Sequence, residues 1–394
     1  MTATYAARPA RTVRPALTTE LVTDPGAFAA LAPAWTRLHR RCATATPFQS
    51  HAWLHSWWRS YGRPGRLRIL LVRSGPDLVA AAPLTLVRSP LTALVPLGGA
   101  ISDYGDLLLD DADDGRGADA LTGELSLAAR TALIDLREVR PGGAAERIYE
   151  RWPGPRRRVP DSLCLELPAA PMADLIARLP SKKAQRVRAK LRKLTALGVT
   201  RRVAGPHDTD RALRRLLELH RLQWAERKVT TEHLRPRFRE HLLRAVGAMA
   251  RSGDAVVTEF LLGTEVVAVD VTLLSPHLAG GYLYGAHPRL RELRADVAVI
   301  LLDACADHAA TGAHRTLSLM RGDEPYKHHW RPDPVPSVRL LLARRRTVPL
   351  LSAALYDVAA RRHGKEVLHR WQDLRRGESA CMAPRGRREV SDRP

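Results

Sequence analysis

The sequence predicts an α/β fold of the α+β type, with a mixed, mostly antiparallel sheet flanked by helices. Alternating apolar residues over 67–87 and again over 256–274, each run broken by a short turn, predict two strand hairpins. Each hairpin follows a segment with helical spacing and precedes a third strand and another helix. This shared order, without residue-by-residue similarity, predicts a duplicated α/β unit whose sheet opens at one parallel strand pair.

Changes in composition along the 394 residues predict the domain boundaries. Residues 1–20 contain arginines but no apolar run of the kind found in a secretory signal, and we predict a disordered leader. Residues 21–168 and 169–345 contain the two repeated units. Residues 346–394 form a basic tail, in which we predict an amphipathic helix that caps the domain or contacts an anionic membrane, followed by a disordered end.

Charge and cysteine content narrow the partners and the compartment. The formal net charge of +22 suits nucleic acid, an anionic membrane or a polyphosphate substrate, although an arginine-rich coding bias gives such a charge without any partner. The four cysteines lie far apart and form no disulfide framework, which predicts a cytoplasmic protein. His51 and His55 share a helical face, but no glutamate follows His51 as in HExxH, and we predict no metal site.

The stretch from Gly280 to Trp330 carries most of the functional signal. Alternation over 280–286 predicts a strand, helical spacing over 296–310 a helix, and alternation over 315–320 a second strand. The first N–H groups of such a helix have no backbone partner, so the loop before it is an anion site. The loop arginines either bind phosphate oxygens or are merely solvated surface residues.

A second cationic segment precedes this stretch. Residues 181–202 predict a basic helix with a narrow apolar stripe formed by Val187, Leu191 and Leu194. Its lysines and arginines suit a phosphate backbone, a coenzyme phosphate or a lipid head group, but they are equally typical of a solvated helix face. Nucleic acid, tRNA in particular, therefore stays open as a partner.

Several motifs together carry a resemblance to a known family. They span residues 45–332 and are FQSHAWLHSWW at 48–58, the strand end Ala82-Pro83-Leu84, SDYGDLLL at 102–109, LPSKKAQRVRAKLRKL at 179–194, LHRLQW at 219–224 and RGDEPYKHHW at 321–330. In order and spacing the chain resembles the CelD-like (BcsL-type) branch of the GNAT-superfamily acyltransferases, a branch of cellulose and exopolysaccharide biosynthesis. It is more distantly similar to the Fem-type peptidoglycan aminoacyl transferases.

The resemblance implies tandem GNAT folds and an acyltransferase of class EC 2.3.1.-. It implies acyl-CoA, such as acetyl-CoA, as a co-substrate, with no permanently bound cofactor. The acyl group would pass to an amine or hydroxyl of a glycan precursor or a small molecule.

The resemblance also assigns the acyl donor to the strand–loop–helix segment. GNAT proteins hold the CoA pyrophosphate there, which implies contacts from Tyr284, Arg289, Arg291, Arg294, Ala295, Asp296 and Val297. The chain departs from the family at Arg294-Ala295-Asp296, where relatives usually have a glycine-containing loop. The Asp296 carboxylate is a good helix cap but would repel pyrophosphate.

Acyl transfer needs a base for the attacking group, donors for the oxyanion and an acid for the leaving group. The predicted catalytic residues are Asp323 or Glu324 as base, Tyr326 as acid, Lys327 as an anion-binding cation and Asp270 as a second carboxylate. The predicted acceptor contacts are Trp53, Asp103, Tyr104 and Arg321. The alternative for each is a structural role, such as a turn capped by Asp323 and an ion pair of Asp323 with Lys327.

Two other functions remain open from the residues alone. A tRNA-dependent aminoacyl transferase of the Fem type fits the basic helix, although the sequence has no heptad run as long as the coiled-coil arm of Fem proteins. A non-catalytic binding protein on a degenerate GNAT scaffold, anchored by its basic tail, is the third function. The oligomeric state is equally open.

Overall fold

One mixed sheet runs through the described part of the computed structural model, which comprises residues 15–224, 231–361 and 363. Its strands are β1 (Leu17–Val22), β2 (Leu67–Ser74), β3 (Asp77–Val87), β4 (Ala93–Pro96), β5 (Leu108–Leu109), β6 (Leu133–Val139), β7 (Arg156–Pro168), β8 (Val199–Val203), β9 (Ala255–Leu262), β10 (Glu265–Leu274), β11 (Leu278–Ala286), β12 (Thr316–Arg321) and β13 (Asp333–Leu342). Their spatial order is β1-β2-β3-β4-β6-β13-β7-β12-β11-β10-β9-β8, and β5 pairs with β3 beside this path.

Helices fill the connections between these strands. They are α1 (Pro25–Ala30), α2 (Ala32–Arg41), α3 (His51–Tyr61), α4 (Arg116–Ala128), α5 (Ala144–Arg151), α6 (Met172–Ala177), α7 (Ser181–Ala196), α8 (Thr209–Trp224), α9 (Pro236–Ser252), α10 (Arg289–Glu292) and α11 (Val297–Thr311). Residues 348–361 add a further helix, named here the C-terminal helix. Within the described ranges, no helix combines the length and the apolar character that crossing a bilayer requires.

Strand pairing confirms the predicted fold class. The hairpins β2–β3 and β9–β10 are antiparallel and match the two predicted hairpins. In the described sheet, parallel pairing is limited to β4 with β6 and β11 with β12. Each half of the chain thus has one parallel pair in a mostly antiparallel sheet, as the repeated pattern predicts.

Two strands cross between the halves of the chain. β13 lies between β6 and β7, and β7 also pairs with β12. A strand that follows the second predicted unit's helices therefore completes the sheet of the first half, and β7 extends the sheet of the second half. The division into units 21–168 and 169–345 stays a prediction, because these strands join both units in one sheet.

The chain ends differ in part from the predictions made for them. Residues 17–20 belong to β1, which pairs with β2 from Leu17↔Ser74 to Val22↔Ile69. They form an edge strand and not the end of a disordered leader. Residues 1–14, 362 and 364–394 lie outside the described residues, and the predicted disordered end falls among them.

An aromatic core between α3 and α9 holds the two halves together. The Ser50 hydroxyl caps α3 by accepting a hydrogen bond from the Trp53 backbone N–H, 3.3 Å away. The indole of Trp53 is fully buried, and the His241 ring of α9 packs edge-on against it with ring centroids 4.5 Å apart. This packing brings loops of the N-terminal half to the end of β12.

Candidate active site

The candidate site is a cleft that opens where β11 and β12 separate. The two strands are parallel neighbours over three residue pairs, from Leu278↔Thr316 to Gly280↔Ser318. Beyond Ser318 the register of β12 with β7 shifts, and Met320 has a left-handed backbone with φ of 58°. Such backbone strain is concentrated at functional sites. The space beyond the separation, named here the C-terminal cleft, measures about 460 Å³ and is lined by both halves of the chain.

Asp270 of β10 supplies a buried carboxyl to the wall of this cleft. It is 3% exposed, and its Oδ2 accepts hydrogen bonds from Thr272 Oγ1 at 3.1 Å and from Cys305 Sγ at 3.4 Å. No cation of the described residues pairs with it. Burial raises the pKa of Asp270 to about 7. The carboxyl therefore exists in both protonation states near neutral pH and is able to accept and release a proton.

Arg321 and Asp103 close the cleft from opposite halves of the chain. The Arg321 guanidinium pairs with Asp103 at 3.3 Å and with Glu138 at 2.8 Å, and it donates to the Ala100 carbonyl at 2.7 Å. Burial raises the pKa of Asp103 to about 6, against the opposing effect of Arg321. The structure thus brings together two predicted acceptor contacts that are more than 200 residues apart in sequence.

The predicted catalytic cluster after β12 divides in two. Glu324, Tyr326 and Lys327 line the C-terminal cleft. The Lys327 ammonium is buried, pairs with Glu324 at 2.8 Å and donates to the last carbonyl of β12 at 3.0 Å. Burial raises the pKa of the Tyr326 phenol to about 12. Asp323 points elsewhere: its side chain is 66% exposed, pairs with His328 and does not line the cleft.

Two predicted acceptor contacts lie beneath the cleft instead of in it. Trp53 is buried, and its indole N–H donates to Ser102 Oγ at 2.8 Å. Tyr104 is 1% exposed, and its hydroxyl donates to Glu166 at 3.0 Å and lies 2.9 Å from Ser318 Oγ. Both side chains support the cleft wall at the point where β12 leaves β11, and neither borders the open space.

The N-terminus of α11, where a donor phosphate is predicted, already holds a carboxylate. Asp296 Oδ1 accepts the Val299 backbone N–H at 3.2 Å, and Asp296 Oδ2 pairs with Lys190 of α7 at 2.6 Å. Ala295 precedes it in the loop, and Val297 is the first residue of α11. The Asp296 carboxylate, which we expected to repel pyrophosphate, therefore lies at the helix N-terminus. Its charge is balanced by Lys190 of the basic helix α7.

The arginines of this loop differ in their availability. Arg289 pairs with Glu265 at 2.8 Å and is engaged on the surface of β10. Arg291 and Arg294 are exposed, and no ion pair involves them within the described residues. Arg294 has a left-handed backbone, with φ of 51°, just before the helix cap. Two of the three predicted phosphate-binding guanidinium groups are thus free to take a ligand.

His233, in the turn after α8, borders the cleft, and residues of α8 contact the β11 residue Tyr284 in its lining; the sequence predicted no role for His233 or for these α8 residues. Gln223 donates to the Tyr284 hydroxyl at 3.1 Å and accepts the Ala286 N–H at 3.1 Å. His220 contacts the Tyr284 carbonyl, and His233 lies beside His220 and lines the cleft. His220 and Gln223 stand in the LHRLQW motif, which pointed to this helix, but no sequence pattern marked His233.

The described residues contain no group of three or more histidine, cysteine or acidic side chains placed to hold a metal ion. The chemistry that the cleft offers is that of carboxyl, phenol, imidazole and ammonium groups. These are the groups of acid–base catalysis and of anion binding.

Comparison with known proteins gives one matching family and a set of similar folds. Residues 181–328 match the family model described as "Acetyltransferase (GNAT) domain". This match includes the basic helix, the loop before α11 and most of the C-terminal cleft. A search of curated proteins gives no match.

Solved structures share the fold at low sequence identity. The crystal structure of FemX is 10% identical, with a TM-score of 0.59 over 81% of this chain and 98% of that chain. The C-terminal domain of a putative lysylphosphatidylglycerol synthetase from Agrobacterium fabrum is 12% identical, with a TM-score of 0.52 over 83% and 97%. L-PGS from Bacillus licheniformis is 11% identical, with a TM-score of 0.51 over 84% and 95%.

These comparisons agree with the fold of the chain. They do not identify the CelD-like branch, and that closer relationship remains a prediction. Residues 181–328 are similar to a GNAT-type acetyltransferase domain, and the fold of the chain is similar to those of FemX and of the putative lysylphosphatidylglycerol synthetase C-terminal domain.

Proposed function

We propose that the protein is an acyltransferase whose reaction takes place in the C-terminal cleft. An acyl group moves there from an activated donor to an amine or hydroxyl of a small molecule or glycan precursor. The observation that carries this proposal is Asp270, a buried carboxyl that faces the opening between two separating parallel strands and has no cation of the described residues paired with it. Burying such a group is unfavourable, and a catalytic requirement accounts for it.

Asp270 is the proposed general base. It accepts a proton from the attacking group, whose lone pair then forms a bond to the acyl carbon. The bond from that carbon to the leaving group breaks, and the leaving group takes a proton from Tyr326 or from the protonated Asp270. Lys327 is proposed to stabilise the negative charge that develops on the acyl oxygen. Asp323 has no part in this scheme, because its exposed carboxylate lies outside the cleft.

Acyl-CoA is the first candidate donor. The strand–loop–helix connection from β11 to α11 supports it, together with the unpaired guanidinium groups of Arg291 and Arg294 beside the helix N-terminus. In this arrangement the arginine side chains bind the phosphates. The backbone N–H groups contribute less, because the Asp296 carboxylate already occupies one of them.

Aminoacyl-tRNA is the second candidate donor, and the Asp296–Lys190 pair favours it. A helix N-terminus filled by its own carboxylate is a poor pyrophosphate site, whereas α7 beside it presents a row of exposed cations without ion pairs in the described chain: Lys182, Lys183, Arg186, Arg188, Arg192 and Lys193. A helix of 16 residues is about 24 Å long, which suits several successive phosphates of a polynucleotide.

Thermal unfolding with candidate donors tests the proposal. Acetyl-CoA, longer acyl-CoAs and an aminoacylated tRNA are each added to the purified protein, and acyl transfer to a panel of amines is measured in parallel. A donor at a hundred times its Kd adds ~2.7 kcal/mol to the free energy of unfolding. A non-catalytic binding protein would show the stabilisation without any transfer.

Substitutions then distinguish the two donors. Stabilisation by acyl-CoA that is lost in Arg291→Ala/Arg294→Ala, but kept in the matched surface variant Arg63→Ala/Arg130→Ala, supports the first candidate. Stabilisation by tRNA that falls steeply with salt and is lost in Lys182→Ala/Lys183→Ala/Arg186→Ala supports the second. Transfer with neither donor contradicts the proposed function.

Asp296→Ser sharpens this comparison, because serine also caps a helix but carries no charge. If acyl-CoA is the donor, the variant should bind it more tightly than the wild type does, roughly up to tenfold, since a repulsive charge next to the helix N-terminus is removed. Asp24→Ser is the control, because Asp24 caps α1 in the same way, accepting the Ala27 N–H at 2.7 Å, away from the donor loop. Equal CoA affinity in Asp296→Ser and the wild type would exclude the carboxylate as a barrier.

A further inference from the structure

His233 borders the C-terminal cleft and has no part in the scheme above. It lies in the short 3₁₀ turn Thr231–Leu234, between α8 and α9. Its imidazole stacks on the buried Phe238 ring, with centroids 4.5 Å apart and planes 26° from parallel. This stacking holds the ring in a defined orientation at the cleft wall.

The neighbouring His220 has a fixed tautomer. Its Nδ1 lies 2.8 Å from the Tyr284 carbonyl oxygen. A carbonyl only accepts hydrogen bonds, so Nδ1 carries the hydrogen. Burial lowers the pKa of His220, which keeps the ring neutral at neutral pH. Its Nε2 therefore has a lone pair and acts as an acceptor.

The contact with His220 determines the tautomer of His233. The Nδ1 atom of His233 lies 3.4 Å from His220 Nε2. Because that Nε2 is an acceptor, His233 Nδ1 carries the hydrogen and donates it. Burial and the neighbouring His220 lower the pKa of His233 to about 4, so this ring is neutral as well. Its remaining ring nitrogen, Nε2, is left with a lone pair, and the His233 ring is part of the cleft lining.

We propose that His233 Nε2 accepts an N–H hydrogen bond from the acceptor's ammonium group and positions that group for attack, with His220 as the residue that fixes the tautomer. The inference rests on the acyl transfer proposed above and narrows its acceptor to an amine that is protonated when it binds. Charge in the cleft points the same way. The carboxyls of Asp103, Asp270 and Glu324 face the same space, while Arg321 and Lys327 are already held by acidic or carbonyl partners.

The tautomer is measured first, because that result does not depend on turnover. Histidine ¹⁵N labelling of the full chain gives the two ring nitrogens of each residue, and the loss of signals in His233→Gln and His220→Gln assigns them. We expect hydrogen on Nδ1 and a bare Nε2 for both histidines. Hydrogen on Nε2 of His233 would overturn the inference, whatever the enzyme assays show.

Three small probes then test what Nε2 binds. Ethylammonium carries charge and N–H groups, tetramethylammonium carries charge alone, and ethanol carries a hydroxyl alone. We expect ethylammonium to shift the ¹⁵N signal of His233 Nε2 and the other two probes to leave it unchanged. No shift with ethylammonium, or an equal shift with all three probes, would contradict the inference.

Two variants of His220 test its positioning role. The Gln side chain reaches about as far as the histidine Nε2 and keeps an acceptor for His233, whereas the shorter Asn bonds to the Tyr284 carbonyl but leaves His233 without its partner. We expect Asn to give a mixed tautomer at His233 and roughly tenfold weaker ethylammonium binding, and Gln to stay near the wild type. Identical behaviour of the two variants would reduce His220 to a structural residue. Absence of acyl transfer alongside the expected tautomer and probe response would reject the proposed function and leave the amine site standing.

Discussion

In each half of the molecule a parallel strand pair separates and leaves a cleft, but the two clefts differ in their charges and in the segments around them. β11 and β12 separate after three parallel pairs, and β4 and β6 separate after two, from Ala93↔Leu133 to Leu94↔Ile134. The second separation gives a space of about 600 Å³, named here the N-terminal cleft. Duplicated strand patterns thus produce duplicated clefts.

Charge distinguishes the two clefts. In the N-terminal cleft, Asp135 is paired with Arg339 at 2.6 Å and with Arg137 at 2.9 Å, and Glu138 is paired with Arg321. In the C-terminal cleft, Asp270 has only a hydroxyl and a thiol as side-chain partners within the described chain. Asp135 and Glu138 in the N-terminal cleft are thus held in ion pairs, whereas Asp270 in the C-terminal cleft has a pKa of about 7.

The connections differ as well. β11 leads into α11 through a short loop, but β4 leads into α4 through residues 97–115, which carry Ile101 and Asp103 across to the C-terminal cleft. The C-terminal helix packs over the N-terminal cleft, with Leu351 and Ala354 buried against Leu133 and neighbouring apolar residues. The N-terminal cleft is therefore covered in part by the C-terminal helix, whereas the C-terminal cleft lies beside the loop to which we assign the donor in the proposed function.

The largest expected effect is on turnover in Asp270→Asn. Removal of a general base should lower kcat by roughly 10²–10⁴-fold, since Asn keeps the shape but accepts no proton. Steady-state kinetics measure it, with whichever donor the thermal-unfolding and transfer experiments identify. Turnover within a few fold of the wild type would remove Asp270 from the mechanism.

The matched change in the other cleft, Asp135→Asn, should act on stability instead. It leaves the buried Arg339 guanidinium without its carboxylate, and loss of one partner of a buried pair costs about 3–5 kcal/mol. Urea unfolding measures this loss. The kcat of the folded variant should stay near that of the wild type, and a selective loss of kcat with unchanged stability would reverse the roles assigned to the two clefts.

A smaller effect is expected in how stability depends on pH. The pKa of Asp270 is raised on folding, so its contribution is most favourable below the unfolded pKa and is lost as the pH rises through about 7. Asp270→Asn lacks this loss and should be more stable than the wild type at about pH 8, by an amount on the order of 4 kcal/mol at most, with the advantage gone at about pH 4. A pH-independent difference in urea unfolding would contradict the buried, ionising carboxyl.

Local patterns predicted the fold better than they predicted the site. Both hairpins and the strand–helix–strand order of residues 280–320 follow from alternation and helical spacing, which depend on near neighbours. The exchange of β7 and β13 has no such signal, because strand partners are chosen by packing across the whole chain.

The site was predicted only in part, because local patterns identify a segment but not the direction of each side chain. In SDYGDLLL, Asp103 reaches the cleft, Tyr104 is buried under it, and Asp106 caps α5 by accepting the N–H groups of Ala144 and Ala145 at 2.9 and 2.7 Å. A run of polar residues marks a functional segment, but the turns of the backbone decide which side chain enters the cleft. No sequence pattern marks His233, because its proposed role depends on a contact with His220 of α8.

Hydrogen–deuterium exchange with bound donor tests the central claim most directly, because it reports which cleft is occupied. Wild-type protein is compared with and without acetyl-CoA, and separately with and without aminoacylated tRNA. We predict slower exchange in β11 and at the start of α11 with the true donor, and unchanged exchange in β4 and β6. Protection of β4 and β6, or of neither pair with either donor, would contradict the assignment of acyl transfer to the C-terminal cleft.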